Sequence, residues 1–115
     1  MLIDIRSKDF TVTEAIHEHT RRRLNFALDS LARDRKFRRV VVRLGDLNGP
    51  KGGEDKFCRI TAEMGHSAVV VEDIGSNLYS AVSRATRRFA QKASRQLARA
   101  YRLTARTRAA DIVAT

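Results

Sequence analysis

The residues able to do acid–base or metal chemistry are few and scattered. His17 and His19 stand two apart on a predicted helix. At 3.6 residues per turn they diverge by about 200°, so they cannot grip one ion. His66 falls in a predicted turn, and Cys58 is the one cysteine. These four give no converging zinc set. "NGPKGGEDK" is rich in glycine, but it lacks the G-x-x-x-x-G-K-[ST] order and precedes a strand, so it is no phosphate cradle. Glu54 and Asp55 are acids without an evident partner base. The expectation is a protein that is not an enzyme, with no metal, no cofactor and no small-molecule substrate.

The informative chemistry is charge. "SRATRRFAQKASRQLARAYR", Ser83 to Arg102, carries Arg84, Arg87, Arg88, Lys92, Arg95, Arg99 and Arg102, with no Asp or Glu. The acid-free run extends from Ile74 to Ala110 and adds Arg106 and Arg108. A second basic block contains Arg21, Arg22 and Arg23. Solvated helix faces normally mix signs, because opposite charges three or four apart support each other. An uncompensated ridge calls for an anionic partner. Arg84, Arg88, Lys92, Arg95, Arg99 and Arg102 recur at helical spacing and span about 27 Å at 1.5 Å per residue. Such a ridge meets several phosphates, and each contact releases counterions. Arginine adds a planar fork suited to phosphate.

The whole composition agrees. The chain has 115 residues, a net charge of +10 and a hydrophobic fraction of 43%, which suits one compact domain attracted to polyanions. No apolar run reaches the ~18 residues of a membrane span, and "MLIDIRSKDF" is no secretory signal. A single cysteine forms no internal disulfide, so a cytoplasmic protein is expected. Aromatic residues make up only 6%, which argues against base stacking as the main mode. A membrane-surface helix is disfavoured too, because the apolar stripe is needed for the core. Recognition of folded RNA by charge and shape is the reading that remains.

These charges need elements to hold them. Ile3 and Ile5 alternate with Asp4 and Arg6, a short strand. Thr11-Val12-Thr13-Glu14 matches a capping box with Thr11 as N-cap and Thr13 as rival. Ile16, Thr20, Leu24, Ala27, Leu28 and Leu31 then mark a helix over about 12–32. "FRRVVVRL", "KFCRITAEM" and "SAVVVED" alternate with period two, putting Val40, Val42, Leu44, Cys58, Ile60, Ala62, Met64, Val69 and Val71 inward. "GDLNGPKGGED" is the loop after the first of these runs, and Gly65-His66 a tight turn after the second. Ser76 or Asn77 caps a second helix, whose stripe is Leu78, Val82, Ala85, Phe89, Ala93, Leu97 and Tyr101. The pattern predicts an α+β fold, a two-layer β-α-β-β-β-α domain over 1–102 with a four-stranded sheet and two helices packed on one face. Residues 103–115 read as a mobile tail.

Three stretches carry a resemblance to a known family. "VTEAIHEHTRRRL", "DLNGPKGGEDKFCRI" and "SNLYSAVSRATRRFAQKASRQL" resemble the first helix, the loop with third strand, and the second helix of the ribosome hibernation-promoting factors and ribosome-associated translation inhibitors. The resemblance covers about Met1 to Tyr101. It implies the same β-α-β-β-β-α order. It also implies binding to the small ribosomal subunit and its rRNA in the mRNA/tRNA channel, with translation inhibited and idle ribosomes stabilised in stationary phase or stress. The family's basic positions match Arg84, Arg88, Arg95 and Arg23. Its usual acids near the start of the second helix are Asn77 and Ser83 here, a departure that raises the charge. A short form is expected, without the C-terminal domain through which long members pair ribosomes. Two other readings stand beside it. One is a generic RNA or DNA binder. The other is a protein-interaction module, such as a transcription-factor modulator, using Val41, Phe57 and Val70 on the free sheet face.

Overall fold

The computed structural model describes residues 2–7, 13–29, 31, 37–46, 56–64 and 67–114. In chain order these form β1 (Leu2–Ser7), α1 (Glu14–Asp29), β2 (Phe37–Asp46), β3 (Lys56–Met64), β4 (Ser67–Gly75) and α2 (Leu78–Ala114). The sheet order is β1-β2-β3-β4. β1 and β2 are parallel, joined through α1, while β2, β3 and β4 form the antiparallel meander. This is the α+β arrangement that the periodicities predict.

Period two in the strands decides what is buried. Val40, Val42, Leu44, Cys58, Ile60, Ala62 and Val69 are fully buried, and Val71 is nearly so. The same core holds Ile16, Leu24 and Leu28 of α1 and Ala81, Val82, Ala85, Phe89, Ala93 and Leu97 of α2. Both helices therefore cover one face of the sheet. Phe89 sits at the centre with no exposure and meets the ring of Phe37 at 5.9 Å. Truncating such a ring removes about 3–5 kcal/mol. Two buried hydroxyls are satisfied within their own helices: Thr20 donates to the Ile16 carbonyl at 2.8 Å and Thr86 to that of Val82 at 2.9 Å.

Several boundaries differ from the sequence reading. α1 begins at Glu14, and its cap is Thr13, whose hydroxyl accepts from the Ile16 amide at 3.2 Å. Thr11 and Val12 lie outside the described residues, as do the Gly65-His66 turn and residues 47–55. Asn77 rather than Ser76 caps α2, accepting from the Ser80 amide at 2.9 Å. Gly45 and Asp46 belong to β2 rather than to the loop, because they pair with Phe57 and Lys56 and the Asp46–Lys56 ion pair ties the strand ends together. Gly45 has a packing reason to lack a side chain: a Cβ there would lie 2.6 Å from the Phe57 ring. The largest difference is α2, which continues to Ala114 instead of ending near Arg102. Residues 103–114 contain no Gly or Pro and are rich in Ala and Arg, so propensity sustains the helix after the hydrophobic stripe stops.

Candidate nucleic-acid interface

α2 presents two shoulders beside its buried stripe. One faces β4, which is a sheet edge. There Arg84 Nη1 donates to the Ile74 carbonyl at 3.1 Å, Arg88 Nη1 to that of Glu72 at 2.9 Å, and Lys92 Nζ to that of Val70 at 2.9 Å. One turn on, Gln96 Nε2 reaches the Ser67 hydroxyl at 3.3 Å. The match has a geometric cause. Four helix residues advance about 6 Å, and two strand residues advance about 6.6 Å. α2 runs against β4, so each successive turn delivers a donor to the next outward carbonyl.

An edge strand otherwise offers these carbonyls to any passing strand, and basic side chains are a common way to block them. The three cations thus stabilise the edge while remaining exposed to solvent. Each guanidinium has five donors, so one carbonyl contact leaves several free. Arg88 also lies 3.5 Å from Asp73. Arg95 and Arg99 follow along the helix and are exposed, Arg95 making a 3.5 Å contact with the Gln91 carbonyl. Arg102 lies in the helix, with its side chain outside the described residues.

The other shoulder faces α1. Arg87 is exposed there, across from Arg23. The two arginines line a groove of about 260 Å³ with Phe26, Ala27, Ser83, Thr86, Ala90 and Gln91. Phe26 is 76% exposed, the largest value for a bulky apolar residue among the described residues. Sequence reasoning passed over Phe26. The signal was present, since Phe26 stands two residues from buried Leu24 and so about 200° around the helix from the core. Arg21 and Arg22 are exposed on α1, Arg22 paired with Glu18 at 2.8 Å. Where the helices meet, His19 packs edge-on against Tyr79 at 4.9 Å and lies 3.4 Å from the Ser83 hydroxyl. Burial lowers the His19 pKa, and the charges of Arg23 and Arg22 push the same way.

The free face of the sheet differs in character. Arg6, Arg43, Arg59 and Glu72 stand side by side across all four strands. In the next row lie Asp4, Val41, Thr61 and Val70. Asp4 accepts from Arg6 at 2.8 Å and contacts Arg39 at 3.4 Å, and the Arg6 hydrogen bond is the main cause lowering its pKa. The apolar trio Val41, Phe57 and Val70 is therefore divided, with Thr61 between the valines and the arginine row between them and Phe57. Signs are mixed here, whereas α2 itself carries no acid between Leu78 and Ala110.

No group of three metal-ligating side chains occurs among the described residues. Cys58 is fully buried on β3, and burial, then Asp73 and Glu72, push its pKa up to about 12. The thiol stays protonated and structural.

Residues 3–102 match the family described as sigma 54 modulation protein / S30EA ribosomal protein. The chain belongs to that family. The match takes in α1, the sheet from Ile3 onward and α2 as far as Arg102, and it agrees with the resemblance carried by the three sequence stretches. No curated protein matches this chain. Two solved structures share its fold. A ribosomal subunit interface protein from Coxiella burnetii superposes with a TM-score of 0.67 at 15% identity, covering 85% of this chain and 99% of that one. The N-terminal domain of Thermus thermophilus Protein Y gives 0.60 at 23% identity, covering 82% and 92%. Within this S30EA-family fold, the described helices are not long and apolar enough to cross a membrane.

Proposed function

We propose that this chain binds the small ribosomal subunit through the basic face of α1 and α2, against rRNA in the mRNA/tRNA channel. Occupying the channel inhibits translation and stabilises idle ribosomes under stress or in stationary phase. The binding residues are Arg21, Arg22, Arg23, Arg84, Arg87, Arg88, Lys92, Arg95, Arg99 and Arg102. Residues 1–102 act as the ribosome-binding domain, working in the cytoplasm without cofactor, metal or catalysis. Family membership supports the ribosomal partner.

The observation that carries the reading is the run of α2 from Leu78 to Ala110, which holds no acid, with Arg84, Arg88 and Lys92 already oriented by strand carbonyls. Immobilising a long side chain on binding costs about 0.5–1.5 kcal/mol. Cations held in place beforehand lose less, so more of the phosphate attraction appears as affinity. Co-sedimentation with purified small subunits over a salt series, beside an in vitro translation assay, tests the proposal. The expected result is stoichiometric, salt-sensitive binding with inhibition. Absence of binding at low salt, or binding without inhibition, would overturn it. The protein-interaction reading gains little from the sheet face, where mixed charge divides the apolar residues.

A further inference from the structure

We propose that the α1/α2 groove holds one unpaired RNA base stacked on Phe26. The inference rests on the RNA-binding reading and narrows it. Charge along α2 accepts duplex and single strand alike, because both present phosphates. A large exposed ring adds a different demand. Phe26 is 76% exposed beside a groove of about 260 Å³, with Arg23 and Arg87 at its sides and the small residues Ala27 and Ala90 among its walls. That combination gives a flat apolar surface, space above small side chains, and cations for the flanking phosphates. Bases in a duplex have their faces covered by neighbours, so a ring of this kind can stack only on a base that is unstacked.

The polar lining suits the edge of a base. Thr86 already donates its hydroxyl hydrogen within the helix, at 2.9 Å to the Val82 carbonyl and 3.1 Å to that of Ser83, and Ser83 is engaged with His19. Gln91 is exposed, and its side-chain amide has no partner among the described residues. It offers both a donor and an acceptor to the edge of a base seated on Phe26. A second copy of this chain is the poorer occupant. A two-fold contact through this surface would bring Arg23 and Arg87 against their own counterparts. No acid is among the described residues that line the groove to offset them.

The test uses the full chain and a short single-stranded RNA carrying 2-aminopurine, with a hairpin duplex of the same sequence as control. Wild type should quench the fluorescent base, and Phe26→Trp should preserve quenching. Phe26→Ala should abolish it and weaken single-strand binding roughly 5- to 150-fold, the range of one base–aromatic stack, leaving duplex affinity unchanged. The side chain is exposed, so the thermal midpoint of Phe26→Ala should match wild type. Equal quenching and equal affinity in Phe26→Ala would overturn the inference. So would weaker binding of Phe26→Ala to small subunits with unchanged oligonucleotide quenching, which would point to a ribosomal protein as the occupant. Failure of wild type to bind small subunits would instead overturn the function proposed above.

Discussion

The two shoulders of α2 use positive charge differently. On the β4 side, Arg84, Arg88 and Lys92 each donate to a main-chain carbonyl of the edge strand. On the α1 side, Arg87 stands exposed over a groove that holds Phe26. The first set is therefore tied into the fold, whereas Arg87 is exposed and makes no such strand contact among the described residues. Basic residues of similar appearance in the sequence should respond differently to mutation: some should lose stability and affinity together, others affinity alone.

The largest expected effect is on binding. Arg88→Glu with Lys92→Glu removes two charge-assisted contacts worth about 1.5 kcal/mol each, so small-subunit affinity should fall roughly 100-fold. The slope of log affinity against log salt should become shallower by roughly 0.7–0.9 per lost phosphate contact. Affinity measured at several salt concentrations checks both. An unchanged affinity and slope would mean that this shoulder faces plain solvent.

Stability should separate pairs along the β4-side shoulder. The Arg88/Lys92 double variant uncovers two edge carbonyls and sets a carboxylate beside Asp73. It should lose about 1–2 kcal/mol in denaturant unfolding. Arg95→Glu with Arg99→Glu, farther along α2, should stay within about 0.5 kcal/mol per site while still weakening RNA binding. Equal losses in the two double variants would mean that the strand contacts of Arg88 and Lys92 add nothing to stability.

The core beneath both shoulders should remain closed. Native Cys58 should resist a thiol reagent, because it is fully buried and its pKa is pushed up to about 12. Labelling should appear only with unfolding. Rapid native labelling would mean that α2 lifts from β3, and both shoulders with it.

The smallest effect concerns pH and belongs to the α1 side. The folded pKa of His19 lies below its ordinary value of 6.5, chiefly through burial, so the unfolded chain binds the proton more readily. Its contribution to stability is present above pH 6.5 and is lost as pH falls through the lower folded value. Unfolding curves between pH 7 and 5 should show this loss in wild type and a smaller one in His19→Phe. An identical pH dependence in both would remove His19 from the contact between the helices.

What the sequence by itself determined is whatever follows from local periodicity. Alternation in "FRRVVVRL" and "KFCRITAEM" put Val40, Val42, Leu44, Cys58, Ile60 and Ala62 inside, and all six are fully buried. Helical spacing likewise marked Leu24, Phe89 and Ala93 as core. The density of cations over residues 78–110 was equally plain, because the absence of acids there can be read without coordinates. Tertiary structure decided what those cations touch. The contacts from Arg84, Arg88 and Lys92 join residues 10 to 22 positions apart, and they exist because a helix repeat of about 6 Å runs beside a strand repeat of nearly equal length. Pairing across strands also decided that Arg6, Arg43 and Arg59 share one row and divide an expected apolar patch. Phe26 was visible as an aromatic away from the stripe, but only the packing of α1 on α2 makes a groove beside it. Periodicity tells which way a side chain points; what it meets there depends on chain segments far away in sequence.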